Sequence, residues 1–348
     1  MANAVIAALT AYTNKSIFYP VVESVIARTL NNPEIFEFSE FGLETSVREF
    51  VGANAVDYDP DIGFTQGAGG EVKWTKFQPR FDRQVPIKVD AVQELNSIAQ
   101  GMMLSGVGLL ASSYKNLAAE LDAVSFSSIF GSVPEANKLE STTAWSADEA
   151  FNTLIDIESN LFNAGVRGVS FVYIASSKFG NVLKALTSNN LAANPTAFKF
   201  VAGEDGEEVD IEIVRYNDLL LVRVPDNRFY TKVILMDGTS SGQEAGGFSV
   251  DPTAKPLTAL VVPYDAGSFS YRHIVSNFSV PQRFASQLPV NTDVVKREIA
   301  DNLKNQVLIE NIGINQTADR FVYNNRTIYD VALFDSYKHA LYAYYPKA

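Results

Sequence analysis

The chain has 348 residues, 47% of them hydrophobic, a formal net charge of −12 and no cysteine. This length suits about two or three lobes, and the composition is typical of a packed protein, which excludes extended disorder. The lack of cysteine excludes disulfides and thiolate metal sites. The negative charge argues against a protein that grips nucleic acid, because phosphate binding needs many lysines and arginines.

The N-terminal region predicts two helices followed by an extended arm. The first helix covers about 2–12, and the second runs from Ile17 to Leu30 with Pro20 in its first turn, where a missing N–H is tolerated. Residues 32–62 have the pattern of a loop-rich arm. No stretch is long and apolar enough to span a membrane, and the start lacks the basic region of a signal peptide. We therefore expect a soluble chain made in the cytoplasm.

A long hairpin is predicted over about 48–90. It contains a glycine-rich turn, Gly63–Gly70, and two strand-like runs, Glu71–Phe77 and Phe81–Ile87. Five bases lie within 71–88 against two acids, so this part is positive in an acidic chain. Two interpretations stay open: a solvated strand edge protected by charge, or a docking element covered by another subunit.

Residues 91–129 are predicted to be mostly helical. Apolar residues recur there at steps of three and four, which is the mark of a buried stripe. The stripe consists of Leu104, Val107, Leu110, Tyr114, Leu117, Leu121 and Val124. Three glycines, Gly101, Gly106 and Gly108, weaken the first half of the helix and predict a kink or a separate short helix.

Helices and strands alternate over 146–263, which predicts one α/β lobe. Ser146 and Glu149 form a capping-box pattern at the start of one helix, and Ser176 is placed to cap the next. The predicted strands are Val169–Ile174, Val209–Val214, Leu219–Val224, Thr231–Met236 and Leu257–Pro263. Asn291-Thr-Asp293 is placed to cap a final helix.

No catalytic, cofactor or metal site is predicted. The sequence has two histidines, His273 and His339, and neither has a partner at metal-ligand spacing. His273 lies in an alternating strand pattern and is expected to be structural. The glycines at 67–70 are not followed by the Lys-Ser/Thr of a phosphate loop, and no pair of acids is singled out for acid–base chemistry.

Three regions resemble the major capsid (coat) proteins of tailed bacteriophages, which have the Hong Kong 97 fold. The first extends from Tyr58-Asp-Pro-Asp-Ile-Gly-Phe64 through Asp82-Arg83 to Lys88-Val-Asp90, and it is similar to the segment before the family's long spine helix. The second, Ala119-Glu-Leu-Asp-Ala-Val-Ser-Phe126, is similar to the end of that helix. The third is Val222-Arg-Val-Pro-Asp-Asn-Arg-Phe-Tyr-Thr231. Each motif is degenerate, and their order and spacing carry the likeness, which covers about 45–310.

The resemblance implies an α+β, Hong Kong 97-like fold in five parts. They are an N-terminal arm (1–46), an extended β-hairpin loop (47–90), a peripheral domain with the spine helix (91–140 and 265–314), an α/β axial domain (141–264) and a C-terminal extension (315–348). The extension goes beyond what the family's common core has at its C-terminal end. We expect it to pack on a neighbouring subunit or on the shell surface.

The resemblance also implies the function and the partners. The chain would be a non-enzymatic structural subunit that self-assembles, as pentamers and hexamers, into the icosahedral shell around the double-stranded DNA of a phage. Assembly would occur in the bacterial cytoplasm, and the product would be the virion. The arm leaves no room for a fused scaffolding segment, so a separate scaffolding protein is expected, together with portal and decoration proteins and weak, non-specific contact with DNA.

The hairpin supplies the predicted contacts between subunits. They are assigned to Lys73, Trp74, Lys76, Arg80 and Arg83, and the four bases among them would meet acidic surface on the next subunit. Three alternatives stay open at this point. One is the shell of an encapsulin-like nanocompartment, one is another virion part such as a tail or decoration protein, and one is an α/β enzyme or ligand-binding protein with a convergent polar site.

Overall fold

The computed structural model of the chain describes residues 2–30, 36–38, 45–51, 71–94, 105–189, 195–202, 207–236, 247–288, 291–302 and 307–347. Six helices are named in these ranges: α1 (Ala2–Glu23), α2 (Val25–Thr29), α3 (Ser105–Ser132), α4 (Ala147–Asn163), α5 (Ser176–Ser188) and α6 (Thr292–Asn302). A further helical turn covers 91–94. The glycine-rich turn at 63–70, the segment 58–64 and Gly101 lie outside the described residues.

The strands number seventeen in the described ranges. The first nine are β1 (Phe36–Phe38), β2 (Thr45–Val51), β3 (Glu71–Phe77), β4 (Phe81–Asp90), β5 (Lys138–Ser141), β6 (Ser170–Ala175), β7 (Pro195–Ala202), β8 (Glu207–Tyr216) and β9 (Leu219–Val224). The others are β10 (Val233–Met236), β11 (Gly247–Val250), β12 (Ala259–Pro263), β13 (Gly267–Pro281), β14 (Val307–Ile309), β15 (Ile312–Asn315), β16 (Arg320–Leu333) and β17 (Tyr342–Pro346). The α+β class expected from the sequence is confirmed.

A seven-stranded sheet has the order β5-β17-β12-β6-β9-β8-β7. Its central strands β6 and β12 are buried along their whole length, which explains their continuous apolar sequence. Alternate side chains of β6 enter different cores: Val172 and Ile174 pack with α4 and α5, whereas Phe171 and Tyr173 pack on the other side with α3. The sheet is therefore the middle layer between two sets of helices.

A second sheet has the order β14-β13-β16-β4, and β15 also pairs with β13. The long antiparallel pair β13–β16 forms its centre, with one register shift between Val275 and Asn277. Helix α3 packs against this sheet and also against the inner face of the seven-stranded sheet, so a single large core joins the two. The predicted buried stripe of the long helix faces this core, with Leu110, Tyr114 and Leu121 fully buried.

The N-terminal segment differs from the two predicted helices. A single helix, α1, continues through Pro20, and only the short α2 follows it. Proline has no N–H to donate to the carbonyl of Ser16, four residues earlier, and the hydroxyl of Tyr271 lies 3.3 Å from that oxygen and donates to it. Val5, Leu9 and Tyr12 are buried, so this part of the predicted arm packs within its own chain.

Gly106 explains the close packing of α1 on α3. A β-carbon at this position would overlap the ring of Tyr12, so only glycine permits the approach. The same Tyr12 hydroxyl donates to Glu94, and the amide of Gly106 donates to the other oxygen of that carboxylate at 3.3 Å. The glycine that weakens the helix in isolation thus allows a tertiary contact.

The predicted hairpin divides between two sheets. β3 pairs with β2 in a three-stranded sheet of order β1-β2-β3, whereas β4 pairs along its length with β16. Both strand-like runs are strands, but they are not partners. The three residues between them, 78–80, lead the chain from one sheet to the other.

The C-terminal segment contributes strands to both large sheets. β16 is a central strand of the second sheet, and β17 lies between β5 and β12 in the seven-stranded sheet. These strands complete the chain's own sheets, and packing of 315–348 on a neighbour or on the shell surface stays a prediction. β5 and β17 also bring parts of the predicted peripheral and C-terminal domains into the sheet of the predicted axial domain. The domain bounds as such remain a prediction.

In the described ranges, no helix is long and apolar enough to cross a lipid bilayer. The capping box predicted at the start of α4 is confirmed, since Ser146 and Glu149 bond each other's backbone amides. Ser176 is not the cap of α5; it is the first helical residue, and its hydroxyl accepts from Arg223 at 2.7 Å.

Gly267→Ala is expected to lower the free energy of unfolding by about 1–3 kcal/mol. A β-carbon there would overlap the backbone carbonyl of Ala332 on the paired strand, and backbone cannot move aside as a side chain can. Chemical denaturation would measure the change. Gly131→Ala is the matched control: nothing surrounds that position in α3, and the variant should gain up to about 1 kcal/mol. Equal stability of the two variants would contradict the prediction.

Candidate assembly surfaces

The ribbon formed by β2 and β3 carries exposed apolar and basic side chains together. Val72 is 48% exposed and Trp74 is 54% exposed, and Lys76 follows on the same face because strand side chains alternate. Lys73 is exposed on the opposite face, with Glu49 as its register partner on β2. A half-exposed tryptophan on a strand next to lysines is unusual for a purely solvated edge.

The base of the ribbon packs on the C-terminal part of the chain. Phe77 and Phe334 contact the buried Ala332. The pKa of Asp335 is lowered below its ordinary value, mainly by its hydrogen bond to Lys338, with Lys73 acting in the same direction. Residues 332–338 therefore hold the ribbon by apolar and charged contacts within the chain.

Two of the five predicted contact residues are paired internally. Arg80 donates to both oxygens of Asp330, at 2.7 and 2.9 Å, and Asp330 is buried. Arg83 donates to both oxygens of Glu120 on α3, at 2.6 and 3.0 Å. Both arginines thus have a counter-charge within the chain. Their contact with acidic surface of the next subunit stays a prediction, and 61% of the Arg80 side chain is exposed. Lys73, Trp74 and Lys76 remain on the exposed ribbon.

Arg83 is the centre of a larger network. Besides Glu120, its Nη2 donates to the carbonyl of Met236 at 2.8 Å, at the end of β10. The hydroxyl of Tyr329 on β16 donates to Glu120 at 3.0 Å. Burial raises the pKa of Tyr329 well above its ordinary value, and the Glu120 carboxylate adds to this, so the phenol stays a donor. One carboxylate thereby ties together α3, β4 and β16.

Asp122, two residues along α3, makes a second joint. Its carboxylate accepts from Ser24 Oγ at 2.7 Å and from the amides of Val25 and Ile26 at 3.1 Å, which caps the start of α2. Arg228 donates to it at 3.0 Å through Nη1. The ring of Phe126 on the next turn of α3 packs edge-on against Phe229 beside this arginine, with centroids 5.0 Å apart.

These joints give a physical reason for the three motifs. Arg83 belongs to the first motif, Glu120 and Asp122 to the second, and Arg228 to the third. The second motif, on α3, therefore bonds to both of the others, and it holds the second sheet on one side and the turn after β9 on the other. The motifs could be seen in the sequence, but their pairing could not, because the partners lie 37 and 106 residues apart.

His273 has a structural environment. It is fully buried on β13, and its Nε2 lies 2.8 Å from Ser16 Oγ of α1. Burial lowers the pKa of its imidazole from 6.5 to about 3, so it is neutral at neutral pH. His339 is exposed, with Nε2 3.2 Å from the carbonyl of Ala164. Within the described ranges, no group of three potential metal ligands is present.

No protein-family model matches the sequence, and no curated protein is similar to it. Solved structures that resemble the chain include one from Gordonia phage Cozz, with 14% identity and a TM-score of 0.44 over 93% of this chain and 87% of that chain. The capsid of Staphylococcus phage Andhra has 7% identity and a TM-score of 0.44 over 92% and 85% of the two chains. A virus-like particle from Pyrococcus furiosus has 7% identity and a TM-score of 0.44 over 97% and 96%.

Proposed function

We propose that the chain is a structural subunit of the icosahedral head of a tailed phage, with a Hong Kong 97-like fold, and that it has no catalytic role. The observation that carries the proposal is the β2–β3 ribbon. It exposes Val72 and Trp74 beside lysines, whereas β4, the strand that follows it, pairs along its length within the chain. A neighbouring copy is the natural cover for such a surface, because every subunit of a shell is surrounded by copies of the same chain.

Magnitudes support this interpretation. A tryptophan buries about 150–250 Å² when fully covered, so covering the exposed half of Trp74 removes roughly 100 Å² from water. At about 25 cal/mol per Å² this contributes about 2–3 kcal/mol before ordering costs. Such a contact is weak alone, but it is repeated at every subunit of a shell. Modest contacts of this size are sufficient when several neighbours hold each copy.

The charge of the chain fits a container for DNA. A net charge of −12 disfavours tight binding to phosphate, so packaged DNA could move along the inner wall with only weak, non-specific contact. Pentamers and hexamers, a separate scaffolding protein, portal and decoration proteins, assembly in the bacterial cytoplasm and a place in the virion belong to this same proposal.

Electron microscopy of particles from cells that make the chain tests the proposal. Closed icosahedral shells, which in phage particles enclose double-stranded DNA, would support the proposal. Shells filled with a protein cargo would support the nanocompartment alternative. A chain that stays monomeric at any concentration, even beside the other head proteins of the phage, would overturn the proposal.

The surface depression at 282–283 and 315–319 does not favour an enzyme with a polar site. A depression of about 490 Å³ is lined by Gln282, Arg283 and residues 315–319. The carboxylate in its lining, Asp319, is paired with Arg283 at 2.9 Å. This depression therefore offers no pair of acids for general acid–base chemistry.

Charge reversal of the ribbon is expected to weaken assembly. In Lys73→Glu/Lys76→Glu, the ribbon would repel the acidic surface of a neighbouring copy, so the protein concentration needed for shells should rise severalfold at low salt. The difference should shrink as added salt screens the charges. Light scattering and electron microscopy across a salt series would measure it.

Lys88→Glu/Lys115→Glu is the control, since it changes the net charge equally at exposed lysines outside the ribbon. It should assemble like the wild type. Unchanged assembly of the ribbon variant, or an equal loss in both variants, would contradict a docking role for Lys73 and Lys76.

A further inference from the structure

An uncovered apolar stripe runs along α4, away from its buried side. The buried side consists of Ala150, Leu154, Ile157 and Leu161, which pack on the seven-stranded sheet. On another side, Phe162 is 81% exposed, Ile155 is 43% exposed and Phe151 is partly exposed. At 3.6 residues per turn, these three positions lie within about 40° of one another around the helix and extend over roughly 16 Å. Phe151 and Ile155 are adjacent on this side, and Phe162 lies two turns further along, with Glu158 between them.

The charges that α4 itself carries all have one sign. Helix α4 carries Asp148, Glu149, Asp156 and Glu158 and no base. Two copies of this surface facing each other would bring like charges together, so a self-complementary contact is disfavoured. A partner of this stripe should instead present positive charge and small or apolar side chains.

The neighbouring helix α5 has the complementary character. It carries Lys178 and Lys184 and no acid, and Lys184 is exposed. Helices α4 and α5 cover the same face of the seven-stranded sheet, so the chain presents an acidic, apolar helix and a basic helix in one layer. Gly180 and Thr187, both exposed, are small residues on either side of Lys184. A bulky side chain can therefore approach the backbone of α5 there.

We infer that the α4 stripe of one copy docks on the α5 surface of the next copy, in a head-to-tail contact that closes into a ring. A heterologous contact needs two different patches on one chain, and repeated rotation about an axis then closes the ring. This inference rests on the proposed function and specifies it, because pentamers and hexamers are such rings. It uses a surface separate from the β2–β3 ribbon, which belongs to a different sheet.

The chain has no cysteine, which permits a clean cross-linking test. Ser159→Cys places a thiol beside the stripe, and Thr187→Cys places one beside Lys184; both positions are exposed. Treatment of the assembled double variant with a short bismaleimide should give a ladder of covalent oligomers on a denaturing gel. Each single variant, cross-linked in the same way, should remain monomeric, because the two thiols of the contact come from different helices.

Substitutions in the contact should change the ladder in a defined way. In the double-cysteine background, Ile155→Ser/Phe162→Ser should reduce the cross-linked fraction by about tenfold, as expected for a loss of roughly 1.4 kcal/mol. Val294→Ser, at a 54% exposed position on α6, is the control and should leave it unchanged. Lys184→Glu should also reduce the ladder, and adding Asp156→Lys should restore it.

The outcomes separate this inference from the proposed function. Shells without a ladder in the double variant, or an internal cross-link within the monomer, would overturn the α4–α5 contact and leave the shell proposal standing. Dimers from Ser159→Cys alone would replace it with an α4–α4 contact. A ladder without any closed shell would support the contact and count against the shell. Circular dichroism that matches the wild type would show that each variant is folded.

Discussion

Asp122→Ala is expected to lower the free energy of unfolding by about 3–5 kcal/mol, the cost of leaving a buried charge without its partner. The carboxylate is fully buried in α3 and accepts four hydrogen bonds. Its loss would strand the Arg228 guanidinium, which is only 17% exposed, and would leave the first amides of α2 without an acceptor. The ion pair with Arg228 and the cap of α2 would therefore be lost together.

Urea denaturation of the unassembled chain, followed by far-ultraviolet circular dichroism, would measure this effect. Asp218→Ala is the control, because Asp218 pairs with Arg215 at 3.9 Å on an exposed turn and should cost less than about 1 kcal/mol. A double-mutant cycle of Asp122→Ala with Arg228→Met should give a coupling of about 1–3 kcal/mol. Additive effects, or a loss as small as that of the control, would show that the joint does not hold the layers together.

The stability of the chain is expected to fall as the pH drops below about 6.5, in large part because of His273. Its pKa is lowered to about 3 by burial, whereas the unfolded chain has an ordinary histidine near 6.5. Between these values the unfolded state binds a proton that the folded state does not, so acid favours unfolding. At 1.36 kcal/mol per pH unit, the contribution reaches about 3 kcal/mol at pH 4.

The groups that face His273 do not titrate in this range. Tyr114, Tyr271 and Tyr323 have pKa values raised above 10 by burial, and Ser16 is not ionisable. His273→Gln should therefore remove about 3 kcal/mol of the stability difference between pH 7 and pH 4, whatever the variant costs at pH 7. Denaturation at both pH values would measure this. His339→Gln, at the exposed histidine, should keep the full difference; equal pH dependence in wild type and His273→Gln would refute the prediction.

Acid sensitivity of this kind has a definite structural consequence. Ser16 and His273 connect α1 to the second sheet, and Thr13 accepts from the Tyr323 hydroxyl at 3.0 Å in the same buried cluster. Protonation of His273 would place an uncompensated charge in this cluster. We therefore expect α1 to be the first element lost on acidification, which hydrogen exchange on α1 amides would report.

Local structure was predictable where one short pattern decides it. The capping box at Ser146 and Glu149, the strand Leu219–Val224 and the buried stripe of the long helix all depend on residues close in sequence. The structural role of His273 also followed from its alternating strand pattern. Val72 and Trp74 lie on a strand that was predicted, and their exposure is consistent with the docking interpretation of the ribbon.

Strand pairing was not predictable from the same patterns. β3 and β4 both lie in the segment predicted as one hairpin, yet β4 pairs with β16, whose residues lie some 240 positions later. A strand's side-chain pattern specifies which face is buried but not which edge receives a partner. For the same reason β16 and β17 could not be recognised as central strands.

The partners of the charged residues were likewise not predictable from the sequence. The basic character of 71–88 suggested that Arg80 and Arg83 contact acidic residues of another subunit. In the structure Arg80 binds Asp330 and Arg83 binds Glu120, both of the same chain. Charge in a sequence indicates that a counter-charge is needed without indicating where it lies.

The sequence by itself determined most helices, seven of the seventeen strands in the described ranges, the lack of cysteine chemistry and the three motifs, because each is a matter of composition or of residues near one another in the chain. The α+β class was implied by the likeness to phage coat proteins that those motifs carry. Only the tertiary structure decided that α1 packs on Gly106, that β4 leaves the ribbon and that Glu120 and Asp122 join the motifs. The physical reason is that these contacts close long loops: their geometry is set by the simultaneous burial of several elements, which no local pattern encodes.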